Sequence, residues 1–252
     1  MSFKHIVFEA AEDGISLVKV TRPEKLNAIN SETMTELGEV FDRASADPNI
    51  KALIVTGEGE KAFVAGADIQ ELAHKTALQM QQLSRFGQSV FGKLESMGKP
   101  TIAAINGFAL GAGLELAMAC HLRIATPNAK LGLPETKLGL IPGYGGTQRL
   151  PRLVGLGRAL EILLSSEPIS TQEAHHIGLL NRVVESTNLL PTARELLSKI
   201  LANGPIATRL ATEIAYRGVS VSLEVGLELE AAGFGLAAST EDRAEGTRAF
   251  LE

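Results

Sequence analysis

Residues 101–120 read TIAAINGFALGAGLELAMAC, and this stretch decides the fold. TIAAI is a compact run of apolar and β-branched residues, as in strands buried on both faces. Asn106-Gly107 punctuates it, and Gly111-Ala112-Gly113 then opens LELAMAC, whose composition suits a buried helix. The same order of strand, glycine loop and helix occurs on either side. Upstream, IKALIVT at 50–56 precedes GEGEKAFVAGAD and a helical stretch from about Ile69. Downstream, LRIAT precedes PNAKLGLPETKLGLIPGYGG and TQRLPRLVG. A unit that recurs in this way predicts a layered or spiralling α/β core.

Residues 6–21 read as two short strands around Asp13-Gly14, a common hairpin dipeptide. Asn30 and Ser31 offer N-caps for a helix over about 32–46, with Met34, Leu37, Phe41 and Ala44 at helical spacing and Pro48 as its stop. From Ser170 the texture changes. Thr171 can cap a helix, VVES at 183–186 reads as a last strand, and beyond Leu189 the pattern is helical, broken at Gly204-Pro205 and Gly218. Thr240 with Glu241 and Asp242 marks a final helix start, the acids favoured by the helix dipole. The expected division is a core with the site over 1–195 and a helical region over 196–252. The latter must bury its apolar face on the core or on a neighbouring subunit.

With 252 residues, 45% hydrophobic and 21% charged, the chain can bury a substantial core without disulfide or metal. It has 24 Lys plus Arg against 29 Asp plus Glu, a net charge of -5 and no long basic run, which argues against nucleic-acid binding. No apolar stretch reaches the ~18 residues of a membrane span. The start, MSFKHIVFEAAEDG, is too acidic and too weakly apolar for a signal peptide, so a soluble cytoplasmic protein is expected. Cys120 is the only cysteine; within its apolar run it reads as a small buried hydrophobe.

The loops Ala65-Gly66-Ala67-Asp68 and Gly111-Ala112-Gly113-Leu114 each follow a strand and open a helix. The first N–H groups of a helix have no partner within it, and small residues let a ligand approach them. Two such groups aimed at one carbonyl oxygen would stabilise negative charge there. Either loop alone is better explained by close strand–helix packing; the occurrence of both makes an oxyanion site the more attractive reading. No glycine loop carries the Lys-Ser/Thr of a P-loop, and Gly233-Phe234-Gly235 lacks the preceding strand of a dinucleotide fingerprint. Glu115 lies between Leu114 and Leu116 in a helix's first turn, and Glu135 lies in LGLPETKLGL. Desolvation raises a carboxyl pKa towards the range useful for acid–base work. A helix-terminal charge and an exposed loop acid are the bland alternatives, and spacing leaves open whether the two meet. His175-His176 diverge on a helix, so no metal site is predicted.

At TRPEKLNAIN, KAFVAGADI, AAINGFALGAGLELAMAC, LGLPETKLGLIPGYGGTQRLPRLVG and STEDRAEGTRAFLE the chain resembles the enoyl-CoA hydratase (crotonase) family over nearly its whole length. The resemblance implies an α/β crotonase-like spiral of ββα units with a C-terminal helical region. It also implies assembly as a homotrimer or a dimer of trimers (a homohexamer), and a coenzyme A thioester substrate in fatty-acid and lipid metabolism. The implied activity is that of a hydro-lyase, adding water across the 2,3 double bond of a 2-enoyl-CoA. Isomerisation by the same fold is the alternative, and a non-catalytic RNA-binding or scaffold role a more distant one. By motif, the N–H groups of Ala67 and Ala112 would hold the thioester oxygen, Glu115 would activate water, Glu135 would exchange a proton at Cα, and Gly143 would help position the water. Lys25, Leu26 and Ala28, with Ala65, Asp68 and Ile69, would line the coenzyme A path. No metal and no cofactor beyond the substrate's own coenzyme A is implied. Leu133 and Gln70 stand where the family often has Gln and Lys, and Glu24 where a basic residue is common.

Overall fold

A computed structural model describes residues 3–252. The chain begins with a hairpin of β1 (Ile6–Glu9) and β2 (Ile15–Val20), turned at Gly14, whose φ of 78° lies in the left-handed region. Helix α1 (Ser31–Ala46) follows. The Asn30 side chain accepts the Thr33 N–H at 2.8 Å, and Met34, Leu37, Phe41 and Ala44 face inward as their spacing predicts.

Three turns of a spiral then build the core. The first holds β3 (Ala52–Gly57), β4 (Ala62–Val64), α2 (Ile69–Leu72) and α3 (Ala77–Ser96). The second holds β5 (Thr101–Ile105), β6 (Phe108–Leu110) and α4 (Ala112–Ala119). The third holds β7 (Leu122–Ala125), β8 (Lys130–Gly132), a 3-10 turn (Pro134–Leu138), α5 (Gly146–Val154) and α6 (Leu156–Ser165). Each turn gives its first strand to one sheet and its second to another. The larger sheet has the order β1-β2-β3-β5-β7-β10 and the smaller β4-β6-β8-β9, closed by β9 (Ile169–Ser170) and β10 (Arg182–Val183) around helix α7 (Thr171–His176). Successive turns pair in parallel. The spiral of ββα units is therefore the observed architecture.

Two expectations change. The glycine stretches at 57–68 and 106–113 contain the three-residue strands β4 and β6, and VVES contributes only Val183 to β10. Strands this short are too brief for a period to be seen in sequence. Helix α8 (Leu189–Leu201) runs through residue 195, so a division there cuts an element. Its Leu189, Ala193 and Leu197 pack on Ile15, Ile54, Ile102 and Ile124 of the larger sheet, which assigns the whole helix to the core. Helices α9 (Pro205–Gly218), α10 (Leu223–Ala238) and α11 (Glu241–Leu251) bury only Gly233 among them and leave Leu223, Phe234, Phe250 and Leu251 exposed.

The smaller sheet meets the buried helix α4 at Gly113. A Cβ on Gly113 would lie 1.9 Å from the Val64 carbonyl oxygen. Gly113→Ala must push α4 away from β4, and urea unfolding is expected to show a loss of about 3 kcal/mol or more.

Candidate active site

The two glycine loops come together as the spiral closes. Residues 26–29 back the first: the Ala65 N–H donates to the Leu26 carbonyl at 3.1 Å, the Ile29 N–H to Gly66 at 2.9 Å, and the Asp68 N–H to Ile29 at 2.8 Å. Gly111, at φ 51°, turns the chain from β6 into α4, with its N–H on the Gly132 carbonyl at 2.9 Å. The position of a Cβ on Gly111 falls 3.8 Å from the Gly66 Cα, so the loops are in contact. Among the described residues the N–H groups of Ala67 and Ala112 donate to no protein acceptor. Ala112 is the first residue of α4, where an N–H is left over by helix geometry.

Both carboxyls open on the same cavity, of about 540 Å³, which Ala67, Ala112, Ala65, Ile69 and Gly143 also line. The rest of its wall is mainly apolar, including Leu72, Met80, Leu83 and Ile141. Glu115 is only 1% exposed. Its Oε1 accepts the Tyr144 N–H at 2.8 Å and the Gly146 N–H at 2.7 Å. Its other oxygen accepts no protein hydrogen bond among the described residues. Burial pushes the Glu115 pKa up to about 7, aided by the charge of Glu135 and opposed by the two N–H groups and by Arg149. Glu135 enters from the 3-10 turn on the other side. Its Oε1 lies 2.7 Å from where a Gly111 Cβ would sit, and its Oε2 is buried without a partner among the described residues. Burial raises its pKa, against its own backbone N–H. A buried carboxyl oxygen without a partner at a cavity wall is a group held ready for a ligand.

Lys25, Leu26, Ala28 and Asp68 do not line this cavity. Lys25 and Leu26 are exposed. Asp68 is occupied within the protein: it pairs with Arg22 at 3.1 Å and caps α2 through the Gln70 N–H. Cys120 is buried and its thiol is pushed up to about 12, which leaves it unreactive. No group of three or more His, Cys, Asp or Glu able to hold a metal occurs among the described residues.

Sequence reading missed the partners of Glu115. Tyr144, Gly145 and Gly146 form a turn in which Gly145 has φ 112°, bringing two N–H groups to one oxygen. The signal was the glycine pair in PGYGG, which carries no pointer to a residue about thirty positions earlier.

Comparison with known proteins gives a consistent result. The family model described as enoyl-CoA hydratase/isomerase matches residues 10–252. A crotonyl-CoA hydratase of Syntrophomonas wolfei is 44% identical over 252 residues, covering 100% of this chain and 96% of the relative. A short-chain-enoyl-CoA hydratase of Clostridium acetobutylicum is 43% identical with the same coverage. The crystal structure of an enoyl-CoA hydratase from Bacillus anthracis superposes with a TM-score of 0.94 at 41% identity, covering 98% of this chain and 96% of that one.

The raised pKa of Glu115 has a measurable cost. The folded carboxyl keeps its proton up to about pH 7, whereas the unfolded one loses it near 4.5, so stability falls as pH rises through that window. Glu115→Gln keeps the acceptor for both N–H groups and removes the charge. Unfolding measured from pH 5 to pH 8 is expected to show the variant gaining on wild type, by up to about 3 kcal/mol at the upper end.

Proposed function

The chain belongs to the enoyl-CoA hydratase/isomerase family, and on that premise we propose that it adds water reversibly across the 2,3 double bond of a 2-enoyl-CoA thioester. The observation that carries this reading is the pair of desolvated carboxyls, Glu115 and Glu135, facing one apolar cavity beside two unpartnered backbone N–H groups.

The thioester oxygen sits against the N–H groups of Ala67 and Ala112. Withdrawal of electrons towards that oxygen makes Cβ electrophilic. Glu115, with Oε1 held by Tyr144 and Gly146, uses its free oxygen to take a proton from water as the water oxygen bonds to Cβ. Glu135 delivers a proton to Cα as the enolate-like charge collapses. The double bond becomes a single bond carrying hydrogen and hydroxyl, and the reverse sequence is dehydration. Gly143 adjoins the place where the water would stand. The arrangement needs no metal and no cofactor beyond the coenzyme A of the substrate. Loss of one oxyanion donor costs about 3 kcal/mol in such reactions.

Two opposed carboxyls favour hydration over double-bond migration, which needs one base to move one proton between carbons. The exposed apolar residues of α9–α11 support assembly as a homotrimer or a pair of trimers. Among the described residues no helix is long and apolar enough to cross a membrane. The acidic balance argues against nucleic acid as a partner, and a cytoplasmic location is part of the proposal.

The test is hydration of crotonyl-CoA, followed by loss of its enoyl-thioester absorbance. Wild type is expected to be active, and Glu115→Gln and Glu135→Gln to fall by on the order of 100-fold or more. Protein that binds enoyl-CoA thioesters yet adds water to none of them, short, long or branched, rejects the reading; a product of unchanged mass identifies an isomerase. Ala112→Pro probes the oxyanion site separately. Proline is tolerated at the first position of a helix, so the variant is expected to fold while losing on the order of 100-fold in kcat with its N–H.

A further inference from the structure

Helix α3 presents one face to the turn that holds Glu115. Along it, Ser84 and Gln88 donate to the Gly143 carbonyl at 2.6 and 2.9 Å. Gly87 makes room for the Tyr144 ring, which would lie 2.3 Å from a Cβ there, and Phe91 meets that ring edge-on at 5.7 Å. Glu95 ends the series. Its two oxygens take the Arg149 Nε and Nη2 at 2.8 and 2.7 Å, while the Arg149 Nη1 donates to the Tyr144 carbonyl at 2.7 Å. Positions three and four apart share a helix face, so this is one continuous contact.

We propose that Arg149, fixed by Glu95, is a positioning residue for the reaction: by holding the Tyr144 carbonyl it keeps the turn in the conformation that aims two N–H groups at Glu115. The inference rests on the hydratase reading for its kinetic consequences and on geometry alone for its structural ones. The guanidinium lies where a side chain on Gly145 would be, 2.2 Å from its Cβ position, so the turn and the arginine fit only with glycine there. The Arg149 N–H also donates to the Gly145 carbonyl at 2.8 Å, tying the turn to the first turn of α5. Arginine suits the task because one planar group serves the carboxylate with two donors and the carbonyl with a third. Arg149 and Glu95 are largely buried, with side chains 14% and 25% exposed, so the pair is shielded from the screening that weakens surface ion pairs.

The charge matters as well as the grip. The titratable and charged groups around Glu115 are Glu135 of the 3-10 turn, Tyr144 and Arg149 of the turn and α5, and Glu95 of α3 behind Arg149. Arg149 is the one cation among them. Its loss leaves Glu95 unbalanced and makes ionised Glu115 harder to form.

The experiment compares wild type with Arg149→Lys, Arg149→Met and Glu95→Gln in crotonyl-CoA hydration across pH, with thermal unfolding as the check on folding. In parallel the Glu115 carboxyl is titrated by carbon NMR, which needs no turnover. Arg149→Met is expected to lower kcat by about 100-fold with KM within about threefold. It should also move the acid limb of kcat/KM and the Glu115 titration to higher pH. Arg149→Lys keeps the charge but not the fork, so kcat falls while the limb stays in place. Glu95→Gln lowers kcat without an upward shift. Should Arg149→Met fail to fold, the two milder variants decide. Unchanged kcat and titration in the folded variants overturn the proposal, as does a rise in KM alone. If wild type hydrates nothing but the titration moves as stated, the hydratase reading falls and the positioning role stands.

Discussion

The carbonyl oxygen of Val64 and the backbone of Gly113 approach so closely that no side chain fits between them. That contact lets helix α4 start directly against the smaller sheet. Everything chemical in the molecule depends on this closeness. It sets the unpaired N–H of Ala112 beside the loop of Ala67, and it puts Glu115 one turn into a helix whose residues are all buried. Close packing and the proposed oxyanion site, which looked like rival explanations of the glycines, are compatible within one arrangement. Gly113 provides the packing, Gly111 provides the turn and the space for Glu135, and Ala112 between them provides the donor.

Burying Glu115 is the electrostatic counterpart of that packing. A carboxyl removed from water prefers to be neutral, and the neighbouring Glu135 strengthens the preference. The protein offsets this only in part, with two N–H groups on one oxygen and a guanidinium further back. The result is a group that titrates near neutrality, where proton transfer in either direction is easiest. A stable fold of this size would have no reason to keep such a group. Its retention is the kind of local cost that concentrates at functional sites.

Other polar residues of the motifs serve the scaffold. Asp68 and Arg22 hold the first loop against residues 22–28, and Asn106 closes the junction of β3 and β4 by donating to the carbonyls of Gly57, Gly59 and Ala62. The same segment can thus supply one residue to the cavity and its neighbour to the frame. Motif membership does not separate the two; only the direction of the side chain does.

Local pattern in the sequence determined the first five strands of the larger sheet, the cap at Asn30, the inward face of α1, and the candidate pair Glu115 and Glu135. These follow from period, composition and chain-neighbour chemistry, which are properties of short segments. The resemblance extended this to the spiral and to Ala67 and Ala112. Tertiary structure alone decided the rest. The strands β4, β6 and β8 are too short to announce themselves and exist because the spiral lines them up. The partners of Glu115 come from Tyr144 and Gly146, and the support behind them from Glu95 and Arg149, residues far apart in the chain that meet because α3 and α5 both pack on α4. Whether a carboxyl is desolvated, and which donor finds it, depends on distances between segments, and those are set by the packing of the whole core.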